Sequence, residues 1–377
     1  MNGAGGNPEW AEWKQVSAAP YSLGVEEELM LLDAEDFSLA NRIEAVMPRL
    51  PETVLSLADS ETHNSALELT TDVHENVSAA ASQLQSLRQE MADAIAPLGL
   101  ACAGAGTHPF AIWEEVVVTE GDRHEVVHGS MRELARREPT FALHVHVGLP
   151  DAETAIGVCD RMRVHLPVLL ALSANSPFWQ GRDTGLASAR TPLFQAFPRV
   201  GIPRPFREYS RYVEAVDLLV RTGAIPDRSY LWWDIRPHPA IGTIEIRVMD
   251  AQSRTVDTAA LIAFVQCLVK LEAEDPFASE KSVEAAEALD ENRFLAARDG
   301  AAAELIDIDR EERRPLTTIL DSHLDRLMPH ARELGCESEL GHARQLAADP
   351  PADRQRQLAE EHPSLAQVLH RLTEELA

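Results

Sequence analysis

Three consecutive glutamates lie inside a stretch that otherwise has the pattern of a β-strand, `YSLGVEEELMLLD` (residues 21–33). Glutamate is a poor strand former, and like charges at this density repel each other. Because alternate side chains of a strand share a face, Glu26 and Glu28 should point one way and Glu27 the other. A half-exposed edge strand with solvated acids would tolerate the pattern. The flanking valine and leucines instead suggest burial on one side, where a divalent cation would best neutralise the pair.

A second group of acids follows in `LADSETHNSALELTTD` (residues 57–72). This stretch has the pattern of strand, turn and strand, and it contains Asp59, Glu61 and Glu68. Glu68 stands between two leucines, so it is a further acid inside an apolar strand. Together the two groups suggest a cavity lined by carboxylates, and oxygen-rich sites favour Mg²⁺ or Mn²⁺ over zinc.

Two histidines, His144 and His146, share one face of the alternating strand `TFALHVHVGLPD`. They could bind a metal, or they could be ordinary strand histidines. A mixed shell of histidine and glutamate suits Mg²⁺ or Mn²⁺ sites that also handle phosphates.

The late strand `GTIEIRVMD` places Glu245 and Arg247 on one face. Such a pair can be a simple salt bridge. Alternatively, a metal-binding glutamate beside an arginine that stabilises phosphoryl charge is what phosphoryl transfer needs. Arg236 in `DIRPHP`, and Arg182 and Arg190 in a long loop, are further candidates for contacts to anions.

The elements that would position these residues are strands in the first two thirds of the chain and helices thereafter. The pattern predicts a loose N-terminal arm, a mixed sheet with helices on one face, a long functional loop over residues 178–206, and only helices after residue 255. The apolar spacing predicts helices near residues 41–50, 78–99, 207–222, and from 151 to about 174.

Composition excludes several classes of protein. The chain has 377 residues, a net charge of −27 and only 34 lysines and arginines, nearly all of them arginine, which argues against nucleic-acid and anionic-lipid partners. No apolar run is long enough for a membrane helix, and no signal peptide is recognisable, so we expect a cytoplasmic protein. The four scattered cysteines suit free thiols. The sequence contains no P-loop and no nucleophile elbow.

Taken in order, the segments `GVEEEL`, `ETHNSALELTTD`, `GTHPF`, `HVHVG`, `FWQGRDTGLASAR`, `FPRVGIP` and `GTIEIRVMD` resemble the glutamate–cysteine ligase type 2 family, and more narrowly its bacterial and archaeal carboxylate–amine ligase branch. The resemblance covers roughly residues 21–270. It implies an α+β, glutamine-synthetase-like fold, in which a curved antiparallel sheet forms a funnel with helices packed behind it. We therefore expect a flexible arm (1–20), a catalytic domain (21–300) and a helical extension (301–377) packed on the same unit.

The resemblance also implies an activity, the ATP-dependent condensation of a carboxylic acid with an amine. In the reference reaction, the γ-carboxylate of glutamate attacks the γ-phosphate of ATP, and the amine of cysteine then attacks the acyl phosphate. The products are γ-glutamylcysteine, ADP and phosphate, and Mg²⁺ or Mn²⁺ binds the phosphates. Mapped onto this sequence, the family's metal ligands correspond to Glu26, Glu28, Glu61, Glu68, His144 and Glu245. Arg247 corresponds to the family's phosphate-stabilising cation and would act in catalysis with Glu245. Arg182, Arg190 and Arg236 are further candidates for contacts to substrate carboxylate or nucleotide phosphate. The family's histidine maps best onto His144, and His146 is a second candidate, for a contact to the cofactor.

Three alternatives stay open at this stage. The same chemistry could act on another acid and amine, because specificity lies in pocket residues that motifs do not reach. The paired histidines would also suit a metal-dependent hydrolase, and an inherited fold could serve a non-catalytic binding protein. We expect small-molecule substrates, and a homodimer is compatible with the chain length.

Overall fold

The computed structural model describes residues 7–15, 19–119, 126, 129–132, 134, 139–362 and 364–376. In chain order, β1 to β13 span Leu23–Asp33, Ala58–Ser60, Ala66–Thr70, Leu100–Ala103, Ala142–Gly148, Phe178–Trp179, Arg182–Asp183, Val200–Gly201, Trp232–Trp233, Ile235–His238, Thr243–Asp250, Glu304–Asp307 and Glu312–Pro315. The centre of the fold is a seven-stranded sheet with the order β10-β11-β5-β1-β3-β2, and β4 also pairs with β1. Three two-stranded sheets lie outside it.

Every pairing in the central sheet is antiparallel. This confirms the antiparallel sheet that the family resemblance implies, while the mixed sheet predicted from the pattern alone was wrong. The predicted strands that carry the acids, the two histidines and the late Glu and Arg are all present and are neighbours. Strand β1 is the longest and pairs with three others, because its eleven residues extend past the ends of β3 and β5 to reach β4.

Helices cover the back of the sheet and form most of the last third of the chain. In chain order, the helices with assigned bounds, α1 to α15, span Ile43–Val46, Glu52–Leu55, Val77–Ile95, Ala152–Met162, Leu166–Ser173, Arg190–Phe194, Tyr209–Arg221, Thr255–Glu274, Glu280–Glu284, Ala286–Asp299, Leu316–Leu334, Glu337–Gly341, Ala343–Ala348, Pro351–Glu361 and Leu365–Leu376. Helix α8 is buried almost throughout, which explains its nearly continuous apolar and small residues. None of the described helices is long and apolar enough to cross a membrane.

Three sequence expectations need correction. The single helix expected from residue 151 to about 174 is two helices, α4 and α5, separated at residues 163–165. Pro167 lies in the first turn of α5, where a missing N–H is tolerated, and the break lets His165 Nε2 lie 2.7 Å from the buried Glu272 carboxylate. The loop over 178–206 contains short strands and α6, and the C-terminal third includes the β12–β13 hairpin.

The expected arm is described only in part. Residues 9–11 form a 3₁₀ turn with Ala11 buried, and the Trp13 indole donates a hydrogen bond to the carbonyl of Leu149 at 3.3 Å. The proposed division of the chain at residues 20 and 300 stays a prediction.

The two faces of β1 pack against different elements. Val25, Leu29 and Leu31 belong to the main core behind the sheet. On the front face, Met30 and Leu32 form a second apolar cluster, which also contains Leu369 and Leu372 of α15. The C-terminal helix therefore covers one end of the front face.

Candidate active site

The front of the sheet holds a cavity of about 380 Å³. Carboxylates from β1, β2, β3 and the β2–β3 turn line it together with arginines from α6, β10 and β11. Aromatic side chains complete the wall. The lining includes Glu26, Glu28, Asp59, Glu61, Glu68, His144, His146, Arg190, Phe194, Phe197, Tyr230, Trp232, Arg236, His238, Glu245 and Arg247.

Strand register brings these residues together. Glu28 of β1 lies opposite Glu68 of β3, which in turn lies opposite Asp59 of β2. On the other side of β1, Glu26 lies opposite His144 of β5. Because side chains directly opposite in an antiparallel pair are close neighbours, residues distant in sequence form one continuous acidic wall.

The acids of this wall have pKa values that are shifted in different directions. Burial, and then repulsion from Glu61, raises the pKa of Glu28 to about 8. Burial and the repulsion of Glu61, Glu26 and Glu28 also hold the pKa of Glu68 well above its usual range. Burial alone would raise the pKa of Glu26 as well, but attraction to His146 and hydrogen bonds from both histidines outweigh it and hold that pKa low. The carboxylates of this wall therefore repel each other when they are ionised, and a bound cation would relieve that repulsion.

The two histidines differ although they share a strand face. His144 Nδ1 lies 3.1 Å from Glu26 Oε2, and burial followed by repulsion from Arg247 lowers the pKa of His144 to about 4. A neutral imidazole can offer a nitrogen to a metal. His146 Nδ1 contacts the Thr243 hydroxyl at 2.9 Å and its Nε2 lies 3.1 Å from Glu26 Oε1. Burial lowers the pKa of His146, but the Glu26 and Glu245 carboxylates together outweigh burial and raise that pKa above its usual value.

Glu245 is the centre of a buried charge cluster. Arg236 donates to it from Nε at 2.6 Å and from Nη2 at 3.3 Å, and Arg247 donates to it from Nη1. Burial raises the pKa of Glu245, but the two arginines outweigh this and hold it well below its usual range. The remaining Arg236 Nη1 group donates to the carbonyls of Ser229 and Leu231. Arg236 is thus committed to protein partners, while the Arg247 guanidinium reaches between Glu245 and His144.

The structure brings together all the predicted site residues except Arg182. That side chain belongs to the β6–β7 hairpin, is exposed, and does not line the cavity. Its assignment to nucleotide or substrate contact therefore has no support from the geometry.

Groups of acids and histidines in the cavity could each hold a metal ion. Three such groups have candidate ligand atoms within 4.8 Å of one another: Glu26 with Glu68 and His144; Glu28 with Glu61 and Glu68; and Glu26 with His146 and Glu245. The first two fit a hard cation, because they combine carboxylate oxygens with at most one neutral imidazole. The third fits less well, since Glu245 already accepts hydrogen bonds from two arginines.

Glu27, on the other face of β1, has a separate structural role. It is fully buried and forms an ion pair with Arg88 of α3, which is also fully buried. Arg88 donates further to the carbonyls of Gln252 and Ser253 at 3.1 Å. Strand alternation thus separates the three glutamates as expected.

Several cavity residues escaped sequence reasoning. His238 shares a face of β10 with Arg236, and alternation could have revealed it. Burial and the nearby Arg228 lower the pKa of His238 to about 3. Aromatic side chains form another part of the cavity wall: Phe194, Phe197, Tyr230 and Trp232. The first two lie in the long loop and the other two just before β10, in segments without the regular alternation of a strand that could have predicted them.

The antiparallel sheet with helices behind it is a fold shared with solved structures of two other proteins. The solved glutamate–cysteine ligase of Francisella tularensis, in complex with AMP, matches with a TM-score of 0.70 at 14% identity, covering 96% of this chain and 90% of that one. A bifunctional glutathione synthetase from Pasteurella multocida also gives 0.70 at 15% identity, covering 94% of this chain but only 52% of that larger protein. At these identities the likeness shows the fold.

The chain belongs to glutamate–cysteine ligase family 2, whose model matches residues 22–371. A Rubrobacter xylanophilus protein with the provisional name glutamate–cysteine ligase 2-1 is 43% identical over 320 residues, covering 85% of each chain. The protein is therefore an ATP-dependent carbon–nitrogen ligase, and the sequence resemblance, the fold class and the enzyme class are confirmed.

Proposed function

We propose that this ligase joins the γ-carboxylate of glutamate to the amine of cysteine through an acyl phosphate, with ATP converted to ADP and phosphate. The observation that carries the proposal is a single cavity in which a wall of repelling carboxylates faces the Arg247 guanidinium. A carboxylate is a poor electrophile, and phosphorylation provides it with a leaving group. Two anions must meet for that step, so the site must supply cations.

In this proposal, Glu26, Glu28, Glu61, Glu68 and His144 would hold Mg²⁺ or Mn²⁺. The ion would neutralise the triphosphate when bound. Arg247 would stabilise charge on the transferred phosphoryl group, because it lies beside the proposed ligand His144, with Nη1 3.4 Å from Nδ1. Glu245 would orient Arg247 and could share a metal with Glu26, while Arg236 would hold Glu245 in place. His146 is at a position from which it could contact an anionic substrate. Arg190 also lines the cavity, but both of its Nη groups donate to backbone carbonyls of β11.

The same chemistry on another acid and amine is the second candidate, because the aromatic and His238 side of the cavity carries no motif that specifies glutamate or cysteine. The hydrolase alternative gains nothing from the geometry. His144 and His146 both pair with Glu26, and no lysine is among the described residues that line the cavity.

The test is phosphate release from ATP with Mg²⁺ or Mn²⁺, measured across a panel of acids and amines that includes glutamate and cysteine. Mass spectrometry should identify the amide product. Hydroxylamine in place of the amine should trap the acyl phosphate as a hydroxamate, and omission of the acid should abolish trapping. ATP hydrolysis that proceeds equally without any acid would contradict the ligase mechanism. Turnover with a different pair only would support the second candidate.

A further inference from the structure

A buried carboxylate at the end of β11 fastens the long loop to the sheet. Asp250 is fully buried, and its Oδ2 accepts hydrogen bonds from the Asn175 backbone N–H at 2.9 Å and from the Ser176 hydroxyl at 2.7 Å. Its Oδ1 accepts one from the Ser188 hydroxyl at 3.1 Å. Gly106 packs directly against it, where a Cβ would lie 2.5 Å from Asp250 Cγ. This carboxylate therefore connects both ends of residues 175–188.

The same carboxylate faces Arg190, which reaches back to the active-site strand. Arg190 Nη1 lies 3.6 Å from Asp250 Oδ1 and donates to the carbonyl of Val248 at 3.3 Å. Arg190 Nη2 donates to the carbonyl of Arg247, also at 3.3 Å. These carbonyls lie in the irregular part of β11, where its pairing with β5 shifts between Ile246 and Met249.

An irregularity of this kind changes the direction in which a side chain points, and it needs partners for the carbonyls that leave the ladder. Arg190 donates a hydrogen bond to such a carbonyl, that of Arg247. The side chain of Arg247 is the one that contacts Glu245 and His144. Without a carboxylate opposite, a nearly fully buried guanidinium would be poorly compensated. Asp250, Arg190 and the backbone of Arg247 thus form one connected chain of contacts.

We propose that Asp250 is a positioning residue, which holds Arg190 and the β11 irregularity in the geometry that directs Arg247 into the cavity. This inference rests on the proposed function, in which Arg247 meets the phosphoryl group. Asp250 itself is not among the described residues that line the cavity. Its effect should therefore fall on the chemical step rather than on substrate binding.

The test compares Asp250→Asn with Asp160→Asn. Asp250→Asn keeps the size of the side chain but removes the charge facing Arg190, and kcat should fall about tenfold to hundredfold with KM for ATP within about twofold of wild type. Asp160 is the matched control, because it is also buried, accepts hydrogen bonds from the backbone of Phe206 and Arg207, and lies outside the cavity lining. Asp160→Asn should lower Tm and leave kcat unchanged. Equal kcat for the two variants would overturn the proposal.

A double-mutant cycle separates positioning from general destabilisation. In an Arg247→Lys background, Asp250→Asn should cost much less in kcat than in the wild type, because the two act on one interaction. Fully additive losses would count against the proposal. If Asp250→Asn does not fold, Ser188→Ala removes one donor to the same carboxylate and should lower kcat in the same direction.

Failure of the proposed function would be visible separately, as wild-type enzyme that turns over ATP with no acid–amine pair. In that case the crystal structure of Asp250→Asn decides. A displaced Arg247 guanidinium supports the positioning role, and an unchanged one refutes it.

Discussion

Glu27 and Arg88 form an ion pair with no exposed surface, on the opposite side of β1 from Glu26 and Glu28. The pair connects the strand that carries the acidic wall to α3. Through the Arg88 contacts with the carbonyls of Gln252 and Ser253, it also connects that strand to the segment that leads from β11 into α8.

Breaking this pair from one side should destabilise the protein strongly. Arg88→Met leaves a buried carboxylate without compensation, and we expect a loss of about 3–5 kcal/mol in the free energy of unfolding. Urea denaturation measures it. The double variant Glu27→Leu/Arg88→Met should recover part of the loss, because no charge is then left alone. Arg371→Gln, which removes an exposed partner of Glu374, is the control and should leave the midpoint unchanged.

Removing one charge from the proposed metal–phosphate machinery should abolish turnover without unfolding the chain. Glu26→Gln loses a proposed metal ligand and Arg247→Ala loses the cation for the phosphoryl group. We expect no measurable ATP turnover from either variant, with near-UV circular dichroism that matches wild type. A folded variant with near-normal activity would falsify the site assignment.

Glu68→Gln should stabilise the metal-free protein while it weakens metal binding. The pKa of Glu68 lies well above its usual range because of burial and three neighbouring acids, so a neutral amide relieves repulsion there. We expect a gain of about 0.5–2 kcal/mol without metal. Thermal unfolding with and without Mn²⁺ should show a higher midpoint for the apo variant but a smaller shift on adding the ion. A lower apo midpoint would refute the repulsion.

Arg236 and Arg182 should behave differently although both were candidates for anion contacts. Arg236→Gln removes the support of Glu245, and the Mn²⁺ concentration for half-maximal activity should rise about tenfold to hundredfold. Arg182→Gln changes an exposed residue outside the cavity lining and should leave both KM and metal dependence at wild-type values. A raised KM for ATP in Arg182→Gln would restore the sequence assignment.

His108 should make folding stability depend on pH in the acidic range. Its Nδ1 accepts hydrogen bonds from the N–H groups of Phe110 and Ala111, and burial lowers its pKa to about 4. The unfolded chain gains a proton near pH 6.5 and the folded chain only near pH 4, so stability is lost as the pH falls between these values. The slope from this residue is up to about 1.4 kcal/mol per pH unit.

The variant His108→Asn keeps an acceptor near the Nδ1 position and cannot titrate. Its stability should therefore fall less steeply than that of wild type between pH 6.5 and pH 4, as measured by denaturant midpoints. Parallel curves for the two proteins would contradict the assignment of the proton-linked loss to His108.

Most residues of the candidate site could be predicted from the alternation of side chains along strands. Alternation alone separated Glu27 from its neighbours and paired Glu245 with Arg247, and both results agree with the burial of these residues. Strand alternation could not predict that Glu28 lies opposite Glu68 or that Glu26 lies opposite His144. The register between strands that are distant in sequence depends on turn lengths and core packing.

The features that sequence reasoning could not resolve have equally specific causes. Arg182 and Arg190 are close in sequence and of one residue type, but one is exposed in a hairpin and the other is buried at the start of α6. No pattern in an irregular loop distinguishes them. Asp250 is the last residue of the segment `GTIEIRVMD`. Its proposed role depends on Ser176, Ser188 and Gly106, which come close to it only in the tertiary structure.

The division of β1 between a cavity face and a core face has a consequence for how this sequence can change length. Inserting or deleting one residue before Glu26 would exchange the faces, carrying Glu26 and Glu28 into the core and Glu27 away from Arg88. A change of two residues would keep each side chain on its face, although it would move the pairing with β3 and β5 by two positions. Insertions or deletions of a single residue in this strand should therefore be among the least tolerated changes in the chain. Where functional relatives differ in the length of this strand, they should differ by an even number of residues.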